Sequence, residues 1–506
     1  MRRTQITTTH RYAVLWLVLC VAGAWYCQAE PKPDVEGSVV DEKGPLARAS
    51  VGWQGQTERV FTDGQGRFRL PSSRSKRIIA SKTGYRIASA VDSDKPLTLR
   101  LERLAKKDNS DYEWIDPHTD PAMANNCANC HGEIYREWQQ SAHAKSATNP
   151  KFLHLFAGTD GKAPVQKKWN AQAEHPDGSA VCATCHAPTF SSPKLEYDIR
   201  EAKGVAKSGI HCDYCHKIAD APTDKLGTRF GRDGLRLLRP SKGELLTFGP
   251  LDDAVRKGES FACLSVYKES RYCASCHEGI VFGVHAYGTY SEWLESPAKR
   301  QGKHCQQCHM APTDKMTNIA PGKGGIERRP ETLASHQTPG GSLDLLRQSL
   351  KMKVQAKVVP GGRQAEVEIV AQTVGHRVPT GFPDRQLILV VTATDGKGQR
   401  AELQDGARLP KSAGKWSGFA GALYAKRLVG ERERTPIPFW LHVVKIEDTR
   451  LSPEKPDRRS FVFAGTARQV NAQLWYRRFW QEVADTRGWM DNDVLVHEQA
   501  LTWEGR

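Results

Sequence analysis

Five C-x-x-C-H strings constrain this 506-residue chain more than any other feature. They are Cys127-Ala-Asn-Cys130-His131, Cys182-Ala-Thr-Cys185-His186, Cys212-Asp-Tyr-Cys215-His216, Cys273-Ala-Ser-Cys276-His277 and Cys305-Gln-Gln-Cys308-His309. Two thiols three positions apart can form thioethers to the two vinyl groups of one haem, and the next histidine then supplies the proximal iron ligand. The motifs imply five covalently bound c-type haems, held by the ten cysteines and the irons of His131, His186, His216, His277 and His309. Zinc knuckles or a disulfide framework could use cysteines, but both would leave five adjacent histidines idle. A thioredoxin-like site needs only one such motif.

The motif histidines are separated by 55, 30, 61 and 32 residues, alternating long and short, and both short intervals end in similar strings, Gly209-Ile210-His211-Cys212 and Gly302-Lys303-His304-Cys305. A duplicated two-haem unit explains this and places two haem pairs close along the chain, near enough for electron hopping. Each six-coordinate haem also needs a distal ligand. Glu133 to Lys145 reads as a helix, with Ile134, Trp138 and Ala142 on one face. His143 then stands about 18 Å from His131 at ~1.5 Å rise per residue, so it serves a neighbouring haem. His336, in the Gly/Pro-rich stretch 311–342, reads as a distal ligand that ties the loop down, against the alternative of a solvated loop residue. His285, before the helix-like Tyr290–Leu294, and His376, in Gly375-His376-Arg377-Val378-Pro379-Thr380-Gly381, are further candidates. His376 reads equally as a polar turn residue. His211 and His304, each preceding a motif cysteine, share a role that is either ligation or structure. His154 reads as a ligand or a packed core residue, His118 and His175 are weaker, and Cys263 reads as a small buried hydrophobe.

Residues 1–29 have Arg2, Arg3 and Arg11, then an apolar run from Tyr12 to Cys27 and Ala29, the layout of a secretory signal peptide. The expectation is an exported protein, periplasmic or at the cell surface. An uncleaved leader would instead act as a membrane anchor. The charge is +16, from 73 Lys+Arg against 57 Asp+Glu, and falls to +13 without the leader's three arginines. A basic balance suggests acidic partners, but export argues against nucleic acid, and haem propionates absorb much of the excess. The expected partners are redox proteins, with association to a membrane or the envelope left open; the sequence is silent on the oligomer.

The flanks change style. Short alternating runs such as Val35–Val40, Ala49–Trp53, Val60–Thr62 and Arg67–Leu70, separated by turns such as Asp63-Gly64-Gln65-Gly66, predict a small antiparallel β-sandwich. Thr62-Asp63-Gly64-Gln65-Gly66-Arg67-Phe68 and Lys82-Thr83-Gly84-Tyr85 make it similar to carboxypeptidase-regulatory-like domains, which implies a binding or spacing module. After Ser349, alternation over Lys351–Val359 and the apolar run Leu387–Thr392 predict a second sandwich. The expected fold is multidomain: signal peptide 1–29, β-sandwich 30–105, a mostly α or irregular pentahaem cytochrome c domain 106–344, and a C-terminal β-sandwich 345–506.

The middle of the chain resembles the multihaem cytochrome c family that includes the tetrahaem electron acceptor of hydroxylamine oxidoreductase. The resemblance rests on Cys127-x-x-Cys130-His131 with Tyr135, Trp138, Ser141, His143 and Ala144, on Glu292-Trp293-x-x-Ser296 leading to Cys305-Gln306-Gln307-Cys308-His309-Met310, and on Gly375-His376-x-x-Pro379-Thr380-Gly381. It implies haems stacked in parallel and perpendicular pairs. The chain departs from the tetrahaem pattern by a fifth motif, and from pentahaem nitrite reductases by lacking C-x-x-C-K. Such folds host carriers and enzymes alike. The leading reading is an exported electron carrier with mostly bis-histidine haems. The alternative is an oxidoreductase, reducing or oxidising a small nitrogen or sulfur compound at one five-coordinate haem.

Overall fold

Alternation builds the N-terminal strands: in Arg67–Leu70 the two arginines are exposed while Phe68 and Leu70 are buried. The computed structural model describes residues 33–93, 96–158, 169–190 and 198–503, so the expected leader lies outside the described residues. The chain divides into two units, one running to Arg103 and including Asp252–Val255, the other taking Leu104–Leu251 and Arg256–Arg506.

In the first unit, strand Val35–Asp41 pairs antiparallel with Gly44–Pro45 and Arg67–Leu70 and parallel with Leu97–Arg100. A second sheet runs Val60–Phe61, Ser50–Trp53, Arg77–Ser81, Ala88–Val91. One core joins the two sheets, with Val39, Phe68, Leu70 and Leu99 from the first and Val51, Trp53, Ile78 and Ala80 from the second. The turn between Phe61 and Arg67 is closed by Asp63, whose Oδ1 accepts the N–H groups of Gln65 (2.9 Å) and Arg67 (2.8 Å). Gly66 there has φ +72°, and a Cβ on it would lie 2.6 Å from the Val39 carbonyl oxygen.

The second unit begins with short helices and loops around the five motifs and ends in two facing sheets. One sheet orders Leu350–Val359, Gly362–Ala371, Asp457–Ala464 and Leu403–Asp405; the other orders Lys445–Asp448, Ala420–Val429, Gln386–Asp395, Ala467–Arg477 and Asp493–Thr502. Val354, Val367, Ile369, Phe461 and Phe463 face Leu387, Leu389, Val391, Tyr424 and Leu474 in a common core. The run Leu387–Val391 is apolar throughout because both its faces are covered: Ile388 and Val390 turn the other way, onto Leu409 and Trp416. On that reverse side, Ala425, Leu428, Phe439, Trp440, Trp480 and Val483 share a further core with Leu155, Trp169, Val281 and Ala286 of the motif region. The sheets are thus packed onto the region that carries the motifs. No helix among the described residues is long and apolar enough to cross a membrane.

One expected element is shorter than its pattern. The helix expected over Glu133–Lys145 spans Gly132–Gln140 and stops where Ser141 takes ψ 162°. The Ser141 hydroxyl then accepts the Ala144 N–H (3.3 Å), starting a new turn.

Candidate haem sites

Each motif sits on one tight turn of helix, over Cys127–Asn129, Ala183–His186, Cys212–Cys215, Arg271–His277 and Cys305–His309. A helical turn brings positions three apart to one face, so both cysteines of a motif share a side. His211 and His304 explain their matching placement by capping. The Nδ1 of His211 accepts the Tyr214 N–H (3.3 Å), and its Nε2 contacts the Thr189 hydroxyl (3.3 Å). His304 caps the last motif with Gln307, whose side-chain oxygen accepts the His304 N–H (2.7 Å). In this arrangement His211 acts as a helix cap, the structural one of the two roles its position allowed.

The motif histidines are aimed by main-chain carbonyls. Nδ1 of His131 donates to Ile319 O (2.8 Å), His186 to Ser146 O (3.1 Å), His216 to Phe248 O (2.5 Å) and His309 to Pro339 O (2.7 Å). A carbonyl can only accept, so these Nδ1 atoms carry the proton and each Nε2 keeps a free lone pair for a metal. Burial pushes His277 down to about 3 and His216 down to about 4, and lowers His186 as well. Burial thus favours the neutral imidazole at His186, His216 and His277, the form that ligation requires.

Two further histidines face motif histidines. The rings of His143 and His277 have centroids 6.3 Å apart, and those of His376 and His309 are 6.2 Å apart. Two imidazoles bonded through nitrogen to one metal at ~2 Å place their centroids about 6 Å apart. His376 donates Nδ1–H to Arg377 O (2.9 Å) and His336 to Ala334 O (3.2 Å), the same device again. His336 is pushed down to about 4 by burial, with the charge of His131 acting in the same direction, and it acts in turn on His216. His285 has a different setting: its Nε2 bonds the Glu278 carboxylate at 2.5 Å and its side chain is 44 % exposed.

Among the described residues, no group of three or more His, Cys, Asp or Glu converges as a bare ion would need. Paired, opposed imidazoles suit a metal whose other four ligands come from a macrocycle. The donor set therefore fits haem.

The motifs do not associate in chain order. The sulfurs of Cys127 and Cys212 lie near one another, bringing motif one beside motif three; Cys185 lies near Cys276, motif two beside four; and Cys273 lies near Cys305, motif four beside five. The short interval between motifs four and five does mark neighbours. For the short interval between motifs two and three, the sulfur contacts lead elsewhere, to motif four and motif one.

Residues 126–217 match the family model described as cytochrome c554 and c-prime. The match supports a multihaem cytochrome c for this region. Covalently bound c-type haem and electron transport go with that assignment. The chain is also similar in fold to a penta-haem cytochrome c552 from Thermochromatium tepidum, with TM-score 0.54 and 22% identity, over 74% of this chain and 97% of that one. No curated protein matches the chain.

Some participants were hidden in the sequence. Glu137, 8 % exposed, accepts the His336 N–H (2.7 Å) and the Ser335 hydroxyl (3.1 Å). Glu292 accepts the Arg377 N–H (3.1 Å) and the Thr380 hydroxyl (2.8 Å). Lys217, directly after motif three, is buried against Asp213 inside that motif. His118, given little weight from its loop setting, has Nδ1 held by Asp116 (2.7 Å), for which the Asp-x-His spacing was the available signal.

Proposed function

We propose that this cytochrome carries five c-type haems, attached through Cys127/Cys130, Cys182/Cys185, Cys212/Cys215, Cys273/Cys276 and Cys305/Cys308, and serves as an exported electron carrier. His131, His186, His216, His277 and His309 are the proximal ligands. His143 is the distal ligand opposite His277, His376 is opposite His309, and His336 closes an iron of the motif one and three pair. The observation that carries this is the pair of opposed imidazoles at 6.2 and 6.3 Å, each at the distance one shared metal sets. The haems supply reversible one-electron chemistry; the chain holds neutral imidazoles, fixes their tautomer and buries them from water. Buried bis-histidine sites change little on electron transfer because both ligands stay in place.

Cys308 supports a port at motif five: it is exposed, whereas the other motif cysteines are half-buried. Lys299, Arg300 and Lys303 precede it, and no acid occurs between Glu295 and Asp314. An acidic redox protein fits that rim. The N-terminal unit, which resembles carboxypeptidase-regulatory-like domains, serves as a spacer or docking module, and export delivers the whole to the periplasm or cell surface.

The test combines intact mass and pyridine haemochrome with an electron paramagnetic resonance spectrum of the oxidised protein, recorded with nitrite, hydroxylamine and sulfite added in turn. Five haem masses and only low-spin signals, unmoved by the additions, support the carrier. A high-spin fraction near one haem in five that shifts with an additive replaces it with the oxidoreductase reading.

A further inference from the structure

The string Glu-Trp-x-x-Ser occurs twice, as Glu137-Trp138-Gln139-Gln140-Ser141 and Glu292-Trp293-Leu294-Glu295-Ser296, and the two copies make matching bonds. Each tryptophan donates its indole N–H to the carbonyl two residues before a motif cysteine: Trp138 to Ile210 O and Trp293 to Lys303 O, both at 2.8 Å. Each serine donates or accepts in the same way. The Ser141 N–H bonds Trp138 O (2.9 Å) and its hydroxyl accepts the Ala144 N–H (3.3 Å); the Ser296 N–H bonds Trp293 O (3.0 Å) and its hydroxyl accepts the Lys299 N–H (3.3 Å).

The glutamates complete the parallel. Each is a carboxylate on a helix, Glu137 buried and the Glu292 side chain 10 % exposed, and each takes one main-chain N–H and one hydroxyl from a distant loop that carries a histidine. Glu137 takes the N–H of His336 itself and the hydroxyl of Ser335. Glu292 takes the N–H next to His376, that of Arg377, and the hydroxyl of Thr380. Glu292 also pairs with Arg450 (2.7 Å), 5 % exposed, which bonds Asp448 in turn. Charge-assisted bonds to main chain are the strong kind, and a buried carboxylate that lost them would stand unsolvated. Neither loop has regular structure at its histidine to hold it otherwise.

We propose that Glu137 and Glu292 are positioning residues that clamp the loops of His336 and His376, setting each imidazole against its iron. This rests on the ligand reading above and adds to it a residue for each of two haems. The pairing is specific: Glu137 acts on the His336 haem and Glu292 on the His376 haem. In the first copy the same segment has a third task, since the turn capped by Ser141 carries His143, whereas the equivalent position in the second copy is Ala298.

The experiment compares electron paramagnetic resonance signals of the full-length, haem-loaded protein and its variants, with haem content by pyridine haemochrome on every sample. His336→Ala and His376→Ala first identify which low-spin signal belongs to each ligand. Glu137→Ala is expected to lose or shift the signal lost in His336→Ala, and Glu292→Ala the one lost in His376→Ala, with five haems retained. Glu137→Gln and Glu292→Gln keep an acceptor oxygen and restore the respective signal. Ser335→Ala and Thr380→Val remove one bond each and shift the same two signals less, which keeps the test available if an alanine variant fails to accumulate. Unchanged spectra in the glutamate and hydroxyl variants, or a change in the other haem's signal, overturn the proposal while the ligand reading stands. If His336→Ala and His376→Ala themselves lose no low-spin signal, the ligand reading falls and the proposal falls with it.

Discussion

Replacing Lys217 with methionine tests whether the third motif is organised around a buried charge pair. Lys217 is 1 % exposed and Asp213 4 % exposed, and their side chains are in contact. Asp213 Oδ2 also accepts the Tyr112 hydroxyl (3.0 Å) and the Ile115 N–H (2.9 Å). Methionine fills the space of the lysine stem but removes the only cation bonded to this carboxylate among the described residues. Breaking a buried pair from one side costs about 3–5 kcal/mol, because the surviving charge is left without compensation. Two neutral donors remain on Asp213, so Lys217→Met belongs at the lower end, about 3 kcal/mol. Asp213→Asn with Lys217→Met removes both charges while the amide oxygen can still accept from Tyr112 and Ile115. That double variant is expected within about 1.5 kcal/mol of the wild type, since replacing a whole buried pair is often near neutral. The assay is guanidinium unfolding of haem-loaded protein followed by the Soret band and far-UV circular dichroism, with haem content checked in each variant. A Lys217→Met cost below about 1 kcal/mol, or a double variant no more stable than that single one, would refute the argument.

Four further outcomes are expected. Asp493 is buried, which raises its pKa, but bonds from Arg477 and Lys415 outweigh this and hold it below the usual carboxylate range. Its contribution is therefore fully present above pH ~4 and lost as pH falls through the lowered folded value; the stability gap between wild type and Asp493→Asn, measured by thermal melts from pH 7 to 2.5, should narrow only in that acid range. Trp293→Phe leaves the Lys303 carbonyl without its indole donor and should cost about 1–3 kcal/mol in Soret-monitored unfolding. Gly66→Ala forces a Cβ to 2.6 Å from Val39 O at φ +72° and should expose the first unit to limited proteolysis while the haem spectrum stays unchanged. Reversing Lys299, Arg300 and Lys303 to glutamate should slow reduction by an acidic electron donor at low salt, with the difference from wild type vanishing at high ionic strength, as stopped-flow rates would report.

How much of this was legible depends on which chemical groups do the work. The C-x-x-C-H strings are plain because covalent attachment fixes residue type and spacing together, and the strands are plain because pleating imposes alternation, as in Arg67–Leu70. Glu137, Glu292, Asp213 and Lys217 read as surface charges because charged residues are seldom buried; only the repeated Glu-Trp-x-x-Ser string hinted at a shared duty. The association of motif one with three could not be read, since Cys127 and Cys212 are far apart in sequence with motif two between them, and no local pattern records their meeting. The deepest loss is in the backbone. The acceptors that aim His131, His186, His216 and His309 are the carbonyls of Ile319, Ser146, Phe248 and Pro339, and every residue has a carbonyl. Two of those four, with His336, come from the aperiodic stretch 311–342. That stretch buries only scattered apolar residues, Met316, Ala320 and Leu333, at no regular spacing; it also delivers two carbonyls and one imidazole, held by the histidines those carbonyls bond and by the carboxylate that holds His336.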